Sequence, residues 1–242
     1  MTFRDRGEDF RTCEEHLARV SRTFALNIRV LRGDTYRSLL LAYLLCRIAD
    51  TLEDEPSLPA SAKIEYLQAY EKLFPLSRDW SDRVDRFLSS LNIDGSSPDL
   101  DLLFDTQRVI REFSCLPYAS QSVIAARVRE MARGMASFQE KVARSAPVML
   151  EDRKELEQYC YYVAGTVGLM IPDLFFGDGC SARKISASTY GHLHSRSVAF
   201  GLGLQMTNIA KDYMSDRDRG WCYVPRSFFV EAGLDPATDF LP

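Results

Sequence analysis

The sequence predicts an all-helical protein, and three observations lead there. Apolar residues recur at helical spacing over long stretches, proline and glycine are sparse inside those stretches, and alternating β-branched segments are rare. Helices are expected over 8–30, 34–54, 60–74, 79–91, 98–114, 118–143, 151–176, 181–213 and 226–232. The first stops at Arg32-Gly33. The second carries the longest strongly apolar run, Leu39 to Cys46, and closes on an acidic cluster before Pro56 to Pro59. The third stops at Phe74-Pro75, the fourth at Asn92 to Pro98, and the fifth before Leu116-Pro117. The sixth ends before Ala146-Pro147, and Gly177 to Cys180 separate the seventh from the eighth. No linker long enough to divide the chain is visible and no repeat of fixed period is found, so residues 1–242 are read as a single domain.

Composition narrows the function classes. Of the 242 residues, 46% are hydrophobic and 26% charged, as in an ordinary globular protein. The net charge of −4 argues against nucleic acid as a partner, which would call for a basic stripe. The six cysteines are scattered without a C-x-x-C pair, so they read as reduced core residues, and three histidines are too few for a zinc site. Met1 to Glu15 is charged throughout and lacks an apolar signal core, and Leu39 to Cys46 falls far short of the ~20 residues of a membrane span. A soluble, cytoplasmic protein that touches membrane only peripherally is expected.

Two acidic clusters stand out: Asp50-Thr51-Leu52-Glu53-Asp54 and Asp212-Tyr213-Met214-Ser215-Asp216. Each places two aspartates four residues apart, on one helix face. At about 100° per residue, Tyr43, Arg47, Asp50 and Asp54 fall on one narrow stripe bordered by Glu53, and Gln205, Asn208, Asp212 and Asp216 on another. Both stripes interrupt strongly apolar sequence, which is the pattern of a helix facing an internal cavity. Either cluster alone also fits a solvated helix end. Facing each other, they would repel without cations between them. Carboxylate oxygens are hard ligands, so the expected cation is Mg²⁺, shared with a substrate phosphate.

Other segments carry weaker signals. Ser21-Arg22 offers a hydroxyl and a guanidinium to a diphosphate, or is a surface patch. Arg217 and Arg219 close over an anion at the metal site, or are solvated loop charges. Gly165 and Gly168 each cost a helix about 1 kcal/mol relative to alanine, so they must provide close helix approach, a kink or room for a ligand. Gly201-Leu202-Gly203 starts like a dinucleotide fingerprint, but it lacks the third glycine and a preceding strand. There is no Walker A sequence and no G-x-S-x-G elbow.

Five segments together resemble the squalene and phytoene synthases, the head-to-head trans-isoprenyl diphosphate synthases. They are SRTFALNIRVL (21–31), YLLCRIADTLEDE (43–55), GMASF (134–138), YCYYVAGTVG (159–168) and LGLQMTNIAKDYMSDRDRGWCYVP (202–225), in the family's order, with wording closer to squalene synthases. The resemblance implies the isoprenoid synthase fold, a helical bundle around a central apolar cavity. Because the chain stops at Pro242, it is expected to lack the C-terminal helices that complete the cavity wall, as well as the C-terminal membrane anchor of the eukaryotic enzymes. It implies Asp50, Glu53, Asp54, Asp212 and Asp216 as metal ligands. Ser21, Arg22, Arg47, Gln205 and Asn208 match positions near the diphosphates, Phe24 and Tyr43 match cavity positions, and Tyr159 matches a tyrosine that handles protons or cations. Lys211 stands where many members have arginine; it adds cationic stabilisation together with Arg47, Arg217 and Arg219. The implied reaction is a Mg²⁺-dependent condensation of two farnesyl diphosphates through presqualene diphosphate to a C30 product, with NADPH as the hydride donor when squalene is formed. The alternatives are a phytoene synthase using geranylgeranyl diphosphate, a head-to-tail prenyltransferase or terpene cyclase, and a non-catalytic relative serving as an assembly scaffold.

Overall fold

The structure is a computed structural model that describes residues 3–21, 23–142, 148–176, 186–218 and 220–235. In chain order its helices are α1 (Phe3–Val20), α2 (Phe24–Arg29), α3 (Gly33–Asp54), α4 (Ala60–Glu71), α5 (Trp80–Ser90), α6 (Pro98–Phe104), α7 (Thr106–Phe113) and α8 (Tyr118–Val142). Then follow α9 (Arg153–Cys160), a π-helical turn (Tyr161–Gly165), α10 (Thr166–Phe176), α11 (Ala187–Asp218) and α12 (Arg226–Glu231). Two short strands, β1 (Val148–Met149) and β2 (Trp221–Cys222), pair in parallel. The all-α class read from the sequence holds.

The helix α3 is the axis of the bundle. Leu40, Leu41, Leu44, Leu45, Ile48 and Leu52 are fully buried, and α1, α4, α6, α7, α8 and α10 pack around them. Each such side chain contributes about 1.5–3 kcal/mol relative to exposure. A helix apolar on nearly every side belongs in a core, so its few polar residues need a reason to be there. The Tyr70 hydroxyl donates to the Leu45 carbonyl (2.9 Å), fixing α4 against α3.

Glycines set the approach of α10 and α11. A Cβ on Gly168 would collide with the Ser197 carbonyl, and one on Gly201 with the Ala164 carbonyl. Of the three roles the sequence left open for Gly168, close helix approach is the one observed.

Several boundaries differ from expectation. The single helix expected over 8–30 is two, α1 and α2, because the Ser21 Oγ accepts the Ala25 N–H (3.0 Å) and starts a new helix. The helix expected over 98–114 is interrupted at Asp105, whose carboxylate pairs with His16 Nε2 (2.8 Å). The stretch 151–176 contains the π-helical turn. The helix expected over 181–213 is observed from Ala187 to Asp218, so both aspartates of the second cluster lie inside it; positions 181–185 lie outside the described residues. The strand pair was not foreseen, since two residues leave no periodic trace. One helical stretch, Arg153–Phe176, is long and apolar enough by length and composition to cross a membrane. Here it packs on α8 and α11.

Candidate active site

The stripe expected on α3 exists. Tyr43, Arg47 and Asp50 are half-buried, Glu53 is buried and Asp54 is exposed. Arg47 Nε donates to Asp99 Oδ1 at 2.9 Å, while its Nη1 stands 3.9 Å from Asp50 Oδ2. The Tyr43 hydroxyl donates to the Val20 carbonyl (3.3 Å), and its ring lies 5.9 Å from that of Phe24. Ser21 is buried beside it and holds the start of α2. The break between α1 and α2 thus brings Ser21 and Phe24 onto the Tyr43 end of the stripe.

The acids at the C-terminal end of α3 raise one another's proton affinity. Burial pushes the Asp50 carboxyl up to about 7; Arg47 opposes the shift, and the charges of Asp54 and Asp99 add to it. Burial pushes Glu53 up to about 8, reinforced by Asp54 and Asp50 and opposed by Gln139 and Lys63. A helix C-terminus already bears partial negative charge, so these acids crowd a site that favours a cation. Lys63, itself buried, donates from Nζ to the Glu53 carbonyl (2.5 Å) and lies 5.6 Å from the Trp221 ring centroid.

Opposite this end stands the segment that follows α11. A recess of about 340 Å³ is lined by Glu53, Asp54, Lys63, Gln139, Trp221 and Tyr223, with Pro56, Leu58 and Ala60 at its loop side. The β1–β2 pairing and the Arg226 N–H donated to the Leu150 carbonyl (2.8 Å) carry Trp221 and Tyr223 back to it. Tyr159 and Tyr223 stack with centroids 4.7 Å apart. Both phenols are held well above their ordinary range, first by burial and then by the charge of Glu53. Tyr223 also feels the charges of Asp54 and Asp216.

The second segment is less uniform than its spacing suggested. Asp216 is buried, whereas Asp212, Asn208 and Lys211 are exposed and Gln205 is half-buried. Lys211 Nζ lies 3.9 Å from Asp212 Oδ1. Arg217 is half-buried, and its Nε has no hydrogen-bond partner among the described residues. Phe24, matched to a cavity wall, keeps 45% of its surface exposed. Arg22 and Arg219 lie outside the described residues. Three residues at the site left no signal in the sequence: Asp99, Lys63 and Gln139. Tyr223 stood within the segment that carries the second cluster, without a role of its own.

Oxygen donors from Asp50, Glu53, Asp54 and Asp216 fit a hard divalent cation. Among the described residues, no three His, Cys, Asp or Glu side chains close into a ready-made metal cluster. Mg²⁺ characteristically needs only one or two protein carboxylates, completing its shell with water and substrate phosphate, so the donor set suits it.

Known proteins show which family the chain belongs to. A profile of the squalene/phytoene synthase family matches residues 17–241. The chain belongs to that family. Human squalene synthase is 33% identical over 216 residues, covering 89% of this chain and 46% of the relative. The squalene synthase of Mycosarcoma maydis is 33% identical over 219 residues, covering 89% and 35%. The chain therefore spans about half the length, or less, of these curated relatives. Among solved structures, a complex of TcSQS with the ligand BPH1237 superposes with a TM-score of 0.71 at 26% identity, covering 93% of this chain and 60% of the other. A dehydrosqualene synthase in complex with a ligand gives 0.62 at 25% identity, covering 97% and 67%. Within the squalene/phytoene synthase family, this chain lies on the squalene synthase side, and its fold is the all-α isoprenoid synthase fold.

Proposed function

We propose that this squalene/phytoene synthase family member condenses two prenyl diphosphates head to head, taking two farnesyl diphosphates through presqualene diphosphate to squalene or a related C30 product. The observation that carries this reading is the recess that Glu53 and Asp54 share with Tyr223, which stacks on Tyr159 and feels the charge of Asp216. Mg²⁺ held by Asp50, Glu53, Asp54, Asp212 and Asp216 would supply Lewis-acid neutralisation of the departing diphosphate. Arg47, Lys211, Arg217 and Arg219 add fixed positive charge, and Ser21, Arg22, Gln205 and Asn208 orient the diphosphates. As the C–O bond breaks, its electron pair leaves with the diphosphate, and the double bond of the second substrate attacks the allylic cation. Phe24 and Tyr43 present aromatic faces to that cation, worth about 0.5–2 kcal/mol each. Loss of a proton then closes the cyclopropane, and the released diphosphate accepts it. Tyr159, held neutral by burial and by the Glu53 charge, passes that proton on through its hydroxyl, taking one up as it gives one to the diphosphate.

Reduction to squalene requires NADPH. The likeness to a dehydrosqualene synthase structure supports a second reading in which a C30 product forms without reductant. The substrates' lipid-like tails suit a cytoplasmic protein that makes peripheral contact with a membrane surface. The test is mass analysis of products from farnesyl and geranylgeranyl diphosphate with Mg²⁺, with and without NADPH. A C30 hydrocarbon or presqualene diphosphate supports the reading. A C40 product from geranylgeranyl diphosphate alone reassigns the substrate, and C15 cyclic products or no turnover overturn it.

A further inference from the structure

Arg47 is the only side chain of the α3 stripe with a fixed positive charge, and its orientation is set from outside the stripe. Its Nε donates to Asp99 Oδ1 at 2.9 Å, whereas Nη1 stays 3.9 Å from Asp50 Oδ2, beyond hydrogen-bond length. Asp99 comes from α6, whose start is well anchored. The Ser97 Oγ accepts the Leu100 N–H (3.1 Å), Pro98 occupies the first turn, and Leu100, Leu102 and Leu103 are buried. The carboxylate is therefore presented from a rigid neighbour. About a third of each partner's side chain remains exposed (32% and 35%), so the pair contributes little to stability. Its consequence is geometric.

We propose that Asp99 is a positioning residue for the diphosphate-handling end of α3: it holds Arg47 by Nε, keeps the guanidinium off Asp50, and leaves the terminal amino groups for a substrate diphosphate. Among the described residues, Asp50 is the other carboxylate beside Arg47. Without Asp99, the guanidinium closes on Asp50 and neutralises an oxygen donor that the site needs. The assignment rests on the proposed condensation, and it involves no bond-making step of its own.

The test uses the whole chain with Asp99→Ala, Asp99→Glu, Arg47→Met and the double variant. Turnover of farnesyl diphosphate with Mg²⁺ is measured, and Mg²⁺-dependent binding of the non-ionising farnesyl thiolodiphosphate is followed by calorimetry. We expect Asp99→Ala to melt within about 3 °C of wild type, to lose roughly 10–100-fold in kcat, as misorientation of a catalytic group does, and to weaken Mg²⁺-dependent analogue binding by about threefold, less than the loss in kcat. Asp99→Glu should recover most of the loss. In the Arg47→Met background, Asp99→Ala should cost less than about twofold more, since positioning acts through the group positioned. An undiminished kcat in Asp99→Ala, or full additivity in the double variant, overturns the assignment and leaves the condensation standing. If wild type does not turn over, the condensation falls, and calorimetry decides Asp99: weaker analogue binding in Asp99→Ala, abolished by Arg47→Met, upholds it. Equal binding in wild type and Asp99→Ala, or none in either, overturns it.

Discussion

Asp50 and Glu53 share a helix end with Asp54, and burial raises the first two to about 7 and about 8. The sign follows from linkage. Each folded-state value exceeds the ordinary 3.8 or 4.5, so the native chain binds more protons than the unfolded one between those limits. The metal-free protein should therefore lose stability as pH rises from about 4 to about 8. Cation binding displaces the same protons. Apparent Mg²⁺ affinity should rise between pH 6 and pH 8 by up to about tenfold per unit per proton released, with proton release visible by calorimetry in buffers of different ionisation enthalpy. A flat profile would show these acids to be unconnected with the cation. Lys63 has a structural role at the same helix end. Replacing it with Met leaves the Glu53 carbonyl without its buried donor, and should cost about 1–3 kcal/mol in denaturant unfolding. Tyr159→Phe keeps the ring stacked on Tyr223 but removes the hydroxyl. We expect an unchanged melting temperature and a kcat lower by about 10²-fold, within the range of a lost acid–base group; wild-type turnover would remove Tyr159 from proton handling.

At the level of elements, the sequence disclosed faces better than junctions. Spacing of three and four residues placed Tyr43, Arg47, Asp50 and Asp54 on one stripe, because helical periodicity encodes direction directly. It did not disclose the break at Ser21, where a side chain competes for a backbone N–H inside an otherwise continuous apolar pattern. Nor did it disclose the π-helical turn at Tyr161–Gly165, since an extra residue in a turn leaves composition unchanged. The glycines were legible as a requirement, and the crossing of α10 on α11 explains Gly168. Gly168→Ala should destabilise by about 1–3 kcal/mol as the helices are forced apart. Thermal unfolding checks this, and an unshifted transition would mean that the crossing relaxes freely.

Across the whole molecule, the candidate site depends on contacts between segments far apart in sequence. Arg47 meets Asp99, and Tyr223 meets Tyr159. No spacing rule reports such pairs, so the acidic helices were readable while the residues joining them were not. The β1–β2 pairing performs the joining, returning the chain after α11 to the recess beside Glu53 and Asp54. In the proposed reaction both acidic segments serve one diphosphate. Calorimetry of farnesyl thiolodiphosphate in the presence of Mg²⁺ tests it most directly, comparing wild type with Asp50→Asn and Asp216→Asn. Each substitution alone should reduce Mg²⁺-dependent binding by at least about tenfold while the fold is kept, as loss of a charged ligand contact does. Tight Mg²⁺-dependent binding that survives in either variant would contradict it.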